Sequence, residues 1–218
     1  MRLFRPVKTN HLTQGFGEKN TNPLLLSLYQ SLGLKGHNGY DWRVENCQPT
    51  GCKIYSPYFK MMIDGTKCEP VYWDCDIAGI VVELSQEYNE GLGVVVLTED
   101  KDGIFKHRFW HLAEISCQVG QRLESGDLIG YTDNTGMSTG SHLHRDLKKL
   151  VRLPDGRLEN AEPDNGYLGA TDPTPYFNNI FILDYIALLR TQLSLLEKTI
   201  DILKKLIKLK IEVKVKTK

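Results

Sequence analysis

No stretch of the sequence offers the roughly 20 uninterrupted apolar residues that a helix needs to cross a bilayer. The nearest, Ile180 to Leu196, is broken by Asp184 and Arg190, so the chain reads as soluble. The amino terminus, Met1-Arg2-Leu3-Phe4-Arg5-Pro6-Val7-Lys8, lacks both a long apolar segment and a small-residue cleavage site. No secretory signal is read there, and export would need another route. Low-complexity tracts, collagen-type repeats and the composition of a disordered chain are missing as well. With 218 residues, 41% hydrophobic and 25% charged, the chain suffices for one sizeable core plus an appendage, or for two small domains.

An excess of either charge is also lacking, but the balance hides an asymmetry. From Glu197 onward eight lysines face three acidic residues, a surplus of +5, and the first 196 residues carry −5. A solvated charge run is the commoner explanation of such a tail; anionic partners are the alternative, and nucleic acid is not expected. Tight Cys-x2-Cys pairs do not occur. The five cysteines stand at 47, 52, 68, 75 and 117, four of them inside what looks like an insertion over about 46–76. Spacings this loose rank disulfides or free thiols above a structural zinc cluster.

What the sequence does contain is short apolar runs of two periods. Ile80–Leu84 and Val94–Leu97 are rich in β-branched residues and flank a turn at 89–93. Phe105 to His111 alternates, which predicts Phe105, His107, Phe109 and His111 on one face. Turns at Lys101-Asp102-Gly103, Val119-Gly120, Ser125-Gly126-Asp127 and Pro154-Asp155-Gly156 space the strands. Short strands at intervals of roughly 8 to 12 residues predict a mainly β protein, an antiparallel sheet folded on itself. Leu24, Leu25, Leu28 and Leu32 after Pro23 predict one short helix near the N-terminus. The end of the chain obeys another rule: Ile186, Leu189, Leu193, Leu196, Ile200, Leu203 and Ile207 step by three and four, the seam of a coiled coil. Leu188, Leu195, Ile202 and Leu209 widen that face. A boundary is therefore set between residues 1–177 and a basic helical tail, 178–218, with self-association through 180–210 ranked above packing on its own domain. Contact with a membrane surface, favoured by Lys204, Lys205, Lys208 and Lys210, comes third.

The chemistry gathers around Gly136-Met137-Ser138-Thr139-Gly140-Ser141-His142-Leu143-His144. On a strand, residues i and i+2 share a face with Cα atoms roughly 6.6 Å apart, so both imidazoles aim at one small volume. Upstream, His37 and Asp41 are four residues apart. A straight strand would hold them about 13 Å from each other, and Gly39 between them marks where the chain must bend. With His111 at a strand end, the metal-competent set is His37, Asp41, His111, His142 and His144. Two histidines, one carboxylate and a water make an open catalytic zinc site, with two histidines left to handle protons and developing negative charge. Spacing alone leaves open which of His142 and His144 binds metal.

These residues carry a resemblance. Gln14-Gly15-Phe16-Gly17, His37-x-Gly39-x-Asp41, Trp110-His111-Leu112, Gly120-Gln121, Gly126-Asp127-Leu128-Ile129-Gly130 and Asn134-Thr135-Gly136-x-Ser138-Thr139-Gly140-x-His142-Leu143-His144 are similar to the lysostaphin-type (LytM-like) zinc endopeptidases of peptidoglycan, over roughly 12–177. The resemblance implies a LytM/lysostaphin-like β-sandwich, one Zn2+ per chain held by His37, Asp41 and His144, and catalytic roles for His111 and His142. It implies hydrolysis of stem-peptide or cross-bridge bonds through a zinc-activated water, with peptidoglycan peptides as partners. There is no His-Glu-x-x-His, so the general base is a histidine. Tyr40 is expected beside the groove as a substrate contact. Where the family often has an aromatic residue and Glu after the last motif, this chain has Arg145-Asp146, a departure expected to bear on the strand's opposite face more than on the chemistry. Without a leader, and with a short catalytic domain, the chain suits a phage-encoded enzyme acting on the cell wall, virion-associated or released at lysis. A binding or activating module, or a structural phage component with an enzymatic tip, is the competing class.

Overall fold

The computed structural model describes residues 1–44, 68–87, 90–138 and 140–216. Cys47 and Cys52, with most of the cysteine-rich insertion, lie outside them. The chain divides into two compact units, Met1–Ile182 and Leu183–Lys218.

The first unit is built from β1 (Leu3–Arg5), β2 (Leu12–Gln14), α1 (Pro23–Ser31), β3 (Tyr40–Arg43), β4 (Pro70–Tyr72), β5 (Gly79–Glu87), β6 (Gly91–Asp100) and β7 (Gly103–Ile115). It continues through β8 (Arg122–Leu123), β9 (Leu128–Thr132), β10 (His142–Arg152), β11 (Leu158–Asn160) and β12 (Phe177–Phe181). The main sheet runs β2-β3-β10-β7-β6-β5-β8, with β11 on β10 and β9 bridging β7 and β4, all antiparallel. The expected antiparallel sheet is what forms, and both expected helices are present, α2 being Ile182–Lys216. A separate parallel pair joins β1 to β12. That pairing keeps residues 177–181, assigned in part to the tail by sequence, inside the first unit.

Alternation explains which face is which. Along β10, Leu143 and Leu147 are fully buried in the core with Trp42, Trp73, Phe105 and Phe109. His142, His144, Asp146 and Lys148 take the other face and line a groove. β7 starts with the expected alternation, since Phe105, His107 and Phe109 are all fully buried. His111 departs from it. The register against β6 slips between Leu92 and Val94, and His111 adopts φ 63°, a left-handed backbone rare outside glycine. The bulge turns the imidazole away from the core row and into the groove. Gly93 on β6 leaves the space for Trp110, whose indole a Cβ there would overlap.

Under the sheet lies a buried polar network. Arg145, fully buried, pairs with fully buried Asp74 (Nε to Oδ2, 2.9 Å) and donates from Nη2 to Nδ1 of His107, 2.9 Å away. His107 is thereby held as the Nε2–H tautomer, which donates to Thr98 Oγ1 at 2.9 Å. Cys68 is disulfide-bonded, whereas Cys75 and Cys117 are free and buried. In the second unit α2 exposes its seam, Leu189, Leu193, Leu196, Ile200, Leu203 and Ile207 included. Among the described residues no helix is long and apolar enough to cross a membrane.

Candidate metal centre

β3 and β10 pair so that Asp41 stands opposite His144 and Arg43 opposite His142. Directly opposed residues of an antiparallel pair point to the same face, so Asp41, His142 and His144 converge on the groove. His37 arrives from the loop before β3. The chain bends at Gly39, bringing His37 Nε2 to 3.2 Å from Asp41 Oδ2. The bend falls at the expected glycine for a different reason than backbone freedom, since Gly39 is not among the positive-φ glycines. A Cβ there would sit 2.6 Å from the Arg145 carbonyl oxygen and 2.9 Å from His144 Cε1. Close approach of β3 to β10 is what requires glycine.

The potential ligand atoms of His37, Asp41 and His144 all lie within 4.8 Å of one another. Asp41 Oδ1 is 2.8 Å from His144 Nδ1, and its Oδ2 is 3.8 Å from His142 Nε2. His111 completes the cluster, its ring centroid 4.6 Å from that of His142 and 6.1 Å from that of His144.

Hydrogen bonds fix which nitrogen each ring turns inward. Nδ1 of His37 faces the Gly15 carbonyl at 3.3 Å, Nδ1 of His111 the Thr135 carbonyl at 2.6 Å, and Nδ1 of His142 the Gly140 carbonyl at 2.7 Å. A carbonyl only accepts, so in each ring Nδ1 carries the proton and the Nε2 lone pair is free for the centre. Ser138 Oγ, 3.0 Å from His142 Nδ1, adds a second partner. His144 is reversed: Nδ1 faces Asp41, and Nε2 lies 3.5 Å from Asp146 Oδ2.

The electrostatics follow from crowding. Burial alone would raise Asp41, but His37, His142 and His144 pull its carboxyl well below the ordinary carboxylate range. Burial likewise opposes a charge on His144, yet its hydrogen bonds to Asp146 and Asp41 prevail and lift it to about 9. His111 is pushed well below 6.5, by burial first and then by the neighbouring His142 and His144. A carboxylate that stays ionised among imidazoles with inward lone pairs is the donor set that a borderline-soft divalent ion such as zinc accepts.

The structure thus brings together all five residues expected at the site: His37, Asp41, His111, His142 and His144. Tyr40 is a correction. Asp41 and Arg43 face the groove, so alternation sends Tyr40 to the other side, buried edge-on against Trp42 and Phe177 with its hydroxyl 2.8 Å from Thr174 Oγ1. It is no groove contact. The expectation for Arg145-Asp146 also divides. Arg145 does serve the opposite face, but Asp146 shares the face of His144 and is bound by Arg108 through Nε to Oδ1 and Nη2 to Oδ2, both 2.8 Å. The sequence marks Asp146 only as part of that departure and Arg108 not at all, although the i+2 spacing from His144 is the signal that places Asp146 on its face. The groove, about 1030 Å³, also takes in Leu25, Leu28 and Tyr29 of α1, with Met137 and Leu168.

With this geometry in view, comparison with known proteins gives a class. Residues 69–163 match the sequence profile of Peptidase family M23. That span holds His111, His142 and His144 and stops short of His37 and Asp41, which folding brings to it. The match is to a peptidase domain of that family, over less than half of the chain. Glycyl-glycine endopeptidase ALE-1 of Staphylococcus capitis is 30% identical over 91 residues, which are 42% of this chain and 22% of that protein. Peptidoglycan DD-endopeptidase ShyA of Vibrio cholerae is 34% identical over 97 residues, 39% of this chain and 21% of that one. The chain thus spans about a fifth of the length of these relatives. Among solved structures, the catalytic domain of lysostaphin from Staphylococcus simulans superposes with a TM-score of 0.43 at 18% identity, covering 76% of this chain and 90% of that one.

Proposed function

We propose that this protein is a zinc-dependent endopeptidase that hydrolyses peptide bonds of bacterial peptidoglycan, in the stem peptide or the cross-bridge, at the cell wall. The observation that carries this reading is the Asp41 carboxylate, 3.2 Å from His37 Nε2 and 2.8 Å from His144 Nδ1 on the floor of an open groove. The names of the relatives ALE-1 and ShyA support the substrate class.

His37, Asp41 and His144 would hold one zinc per chain, and a zinc so held supplies Lewis acidity and a water acidic enough to give hydroxide near neutral pH. His111 and His142 do the proton work. Each keeps a proton on Nδ1 through a backbone carbonyl, so each accepts at Nε2. The imidazolium formed when the attacking water loses its proton can donate from that same Nε2 to the developing oxyanion or to the departing amine. Burial of His111 keeps it neutral and ready to accept. Residues 1–177 supply this chemistry, and the exposed seam of α2 joins copies of the chain through 180–210.

Digestion of purified peptidoglycans of different cross-bridge chemistry, with mass analysis of the released peptides and metal analysis of the protein, tests the reading. New amino termini and one zinc per chain are expected. A zinc-loaded protein that releases no peptide from any wall would overturn it in favour of a wall-binding module.

A further inference from the structure

We propose that Asp146, gripped by Arg108, is the positioning residue of the metal centre: it keeps the proton of His144 on Nε2, so that Nδ1, beside Asp41 and His37, is the nitrogen that would give up its proton to a metal. This rests on the zinc-peptidase reading of the same site.

Three imidazoles of the cluster are oriented by neutral backbone carbonyls, those of Gly15, Thr135 and Gly140. His144 alone is backed by a carboxylate, with Nε2 3.5 Å from Asp146 Oδ2 and no other polar partner at Nε2 among the described residues. Asp146 is fully buried, and a carboxylate out of water is costly unless it is paired and hydrogen-bonded. Arg108, its direct cross-strand neighbour on β7, meets that requirement with a hydrogen bond from Nε to Oδ1 and an ion-pair contact from Nη2 to Oδ2, both at 2.8 Å. A bidentate guanidinium fixes the carboxylate plane as well as its charge. Arg108 is itself steadied over the Trp110 ring, 5.5 Å from the centroid, and Trp110 stands opposite His144 in the same strand pair. The chain Trp110–Arg108–Asp146–His144 therefore ends on a ligand nitrogen. A carboxylate behind a ligating imidazole selects its tautomer and makes the ligand nitrogen a better donor, which a backbone carbonyl does less strongly.

A mere structural ion pair would affect stability alone. A positioning role acts on the ring of His144, which is read through that ring and the metal. In the full chain, nitrogen-15 spectra of the histidine rings, with and without zinc, are expected to show His144 protonated at Nε2. A zinc-loaded His144 protonated at Nδ1, or bound to zinc through Nε2, overturns the proposal without need of a variant. Zinc affinity, measured by competition with a chromophoric chelator, is expected to weaken by about 10- to 100-fold in D146A and D146N and to recover in D146E. D146N preserves the shape of the side chain and carries the test if D146A does not fold. Wild-type affinity in a folded D146N sinks the positioning role while the enzyme reading stands. A wild-type chain that binds no zinc sinks the enzyme reading itself.

Discussion

His144 Nδ1 lies 2.8 Å from Asp41 Oδ1, whereas the nearest imidazole nitrogen of His142 is 3.8 Å from the same carboxylate. On the proposed assignment that difference of about one ångström, with the opposite orientation of the two rings, separates a ligand from a proton carrier. Replacing His144 or Asp41 by Ala should remove zinc and activity together. H142A should keep its zinc while turnover falls by about 10²- to 10⁴-fold, the range for loss of a general acid or base. Metal analysis beside single-turnover rates distinguishes the two, and equal zinc loss in H142A and H144A would reverse the assignment.

Gly39 should be as sensitive as a ligand although it binds nothing. A methyl group there meets the Arg145 carbonyl at 2.6 Å and the His144 ring at 2.9 Å, so β3 must move off β10 and carry Asp41 with it. Overpacking of this kind costs roughly 1–3 kcal/mol. Because about 1.4 kcal/mol is tenfold in an equilibrium constant, G39A should weaken zinc binding by about one to two orders of magnitude. Chelator competition checks it, and unchanged affinity would mean that the strands relax without separating the ligands.

The convergence of His37 and Asp41 could be read before any coordinates, because a glycine midway between two ligands four residues apart leaves a bend as the economical solution. The His142/His144 pair followed from strand periodicity in the same way. Periodicity failed at His111, where strict alternation groups it with Phe105, His107 and Phe109. A one-residue bulge and a left-handed backbone reverse its face, and β7 itself carries no glycine at His111 to signal either. The carbonyls of Gly15, Thr135 and Gly140 that set the tautomers belong to the main chain and have no sequence code. Tyr40 and Asp146 were readable in principle, since one-residue and two-residue offsets from Asp41 and His144 decide their faces.

The zinc-free protein should be most stable near pH 6.5. His144, raised to about 9, contributes stability that is complete below its unfolded value of about 6.5 and is lost as pH rises through 9. His107, depressed by burial and then by Arg145, and His111, depressed by burial and then by its histidine neighbours, act in the opposite sense. Their contribution is present above about 6.5 and is lost as pH falls toward their folded values. Melting temperatures across pH in the presence of a chelator should form a dome, with H144Q flattening the alkaline limb and H107Q part of the acid limb. A steady rise to pH 9 would contradict the shift at His144. Zinc binding should tighten over the same alkaline range, because the ligand nitrogen must give up its proton.

α2 exposes an apolar seam along a helix of 35 residues, about 52 Å at 1.5 Å per residue. Leu193, Leu196, Leu203 and Ile207 are each more than half exposed, far from the burial such side chains usually reach. With seven-residue spacing sustained over three heptads, a second copy of the same helix is the partner that matches in length and period. Light scattering should therefore show an oligomer for the full chain and a monomer for a chain ending at Ile182. The cut belongs there, because β12 pairs with β1 and removing Phe177–Phe181 would damage the first unit. Activity per chain should survive the truncation, since every residue of the centre precedes Asp146 or is Asp146 itself. If both forms run as monomers, the seam has another purpose, and binding of the full chain to anionic vesicles, lost on truncation, would assign it to a membrane surface.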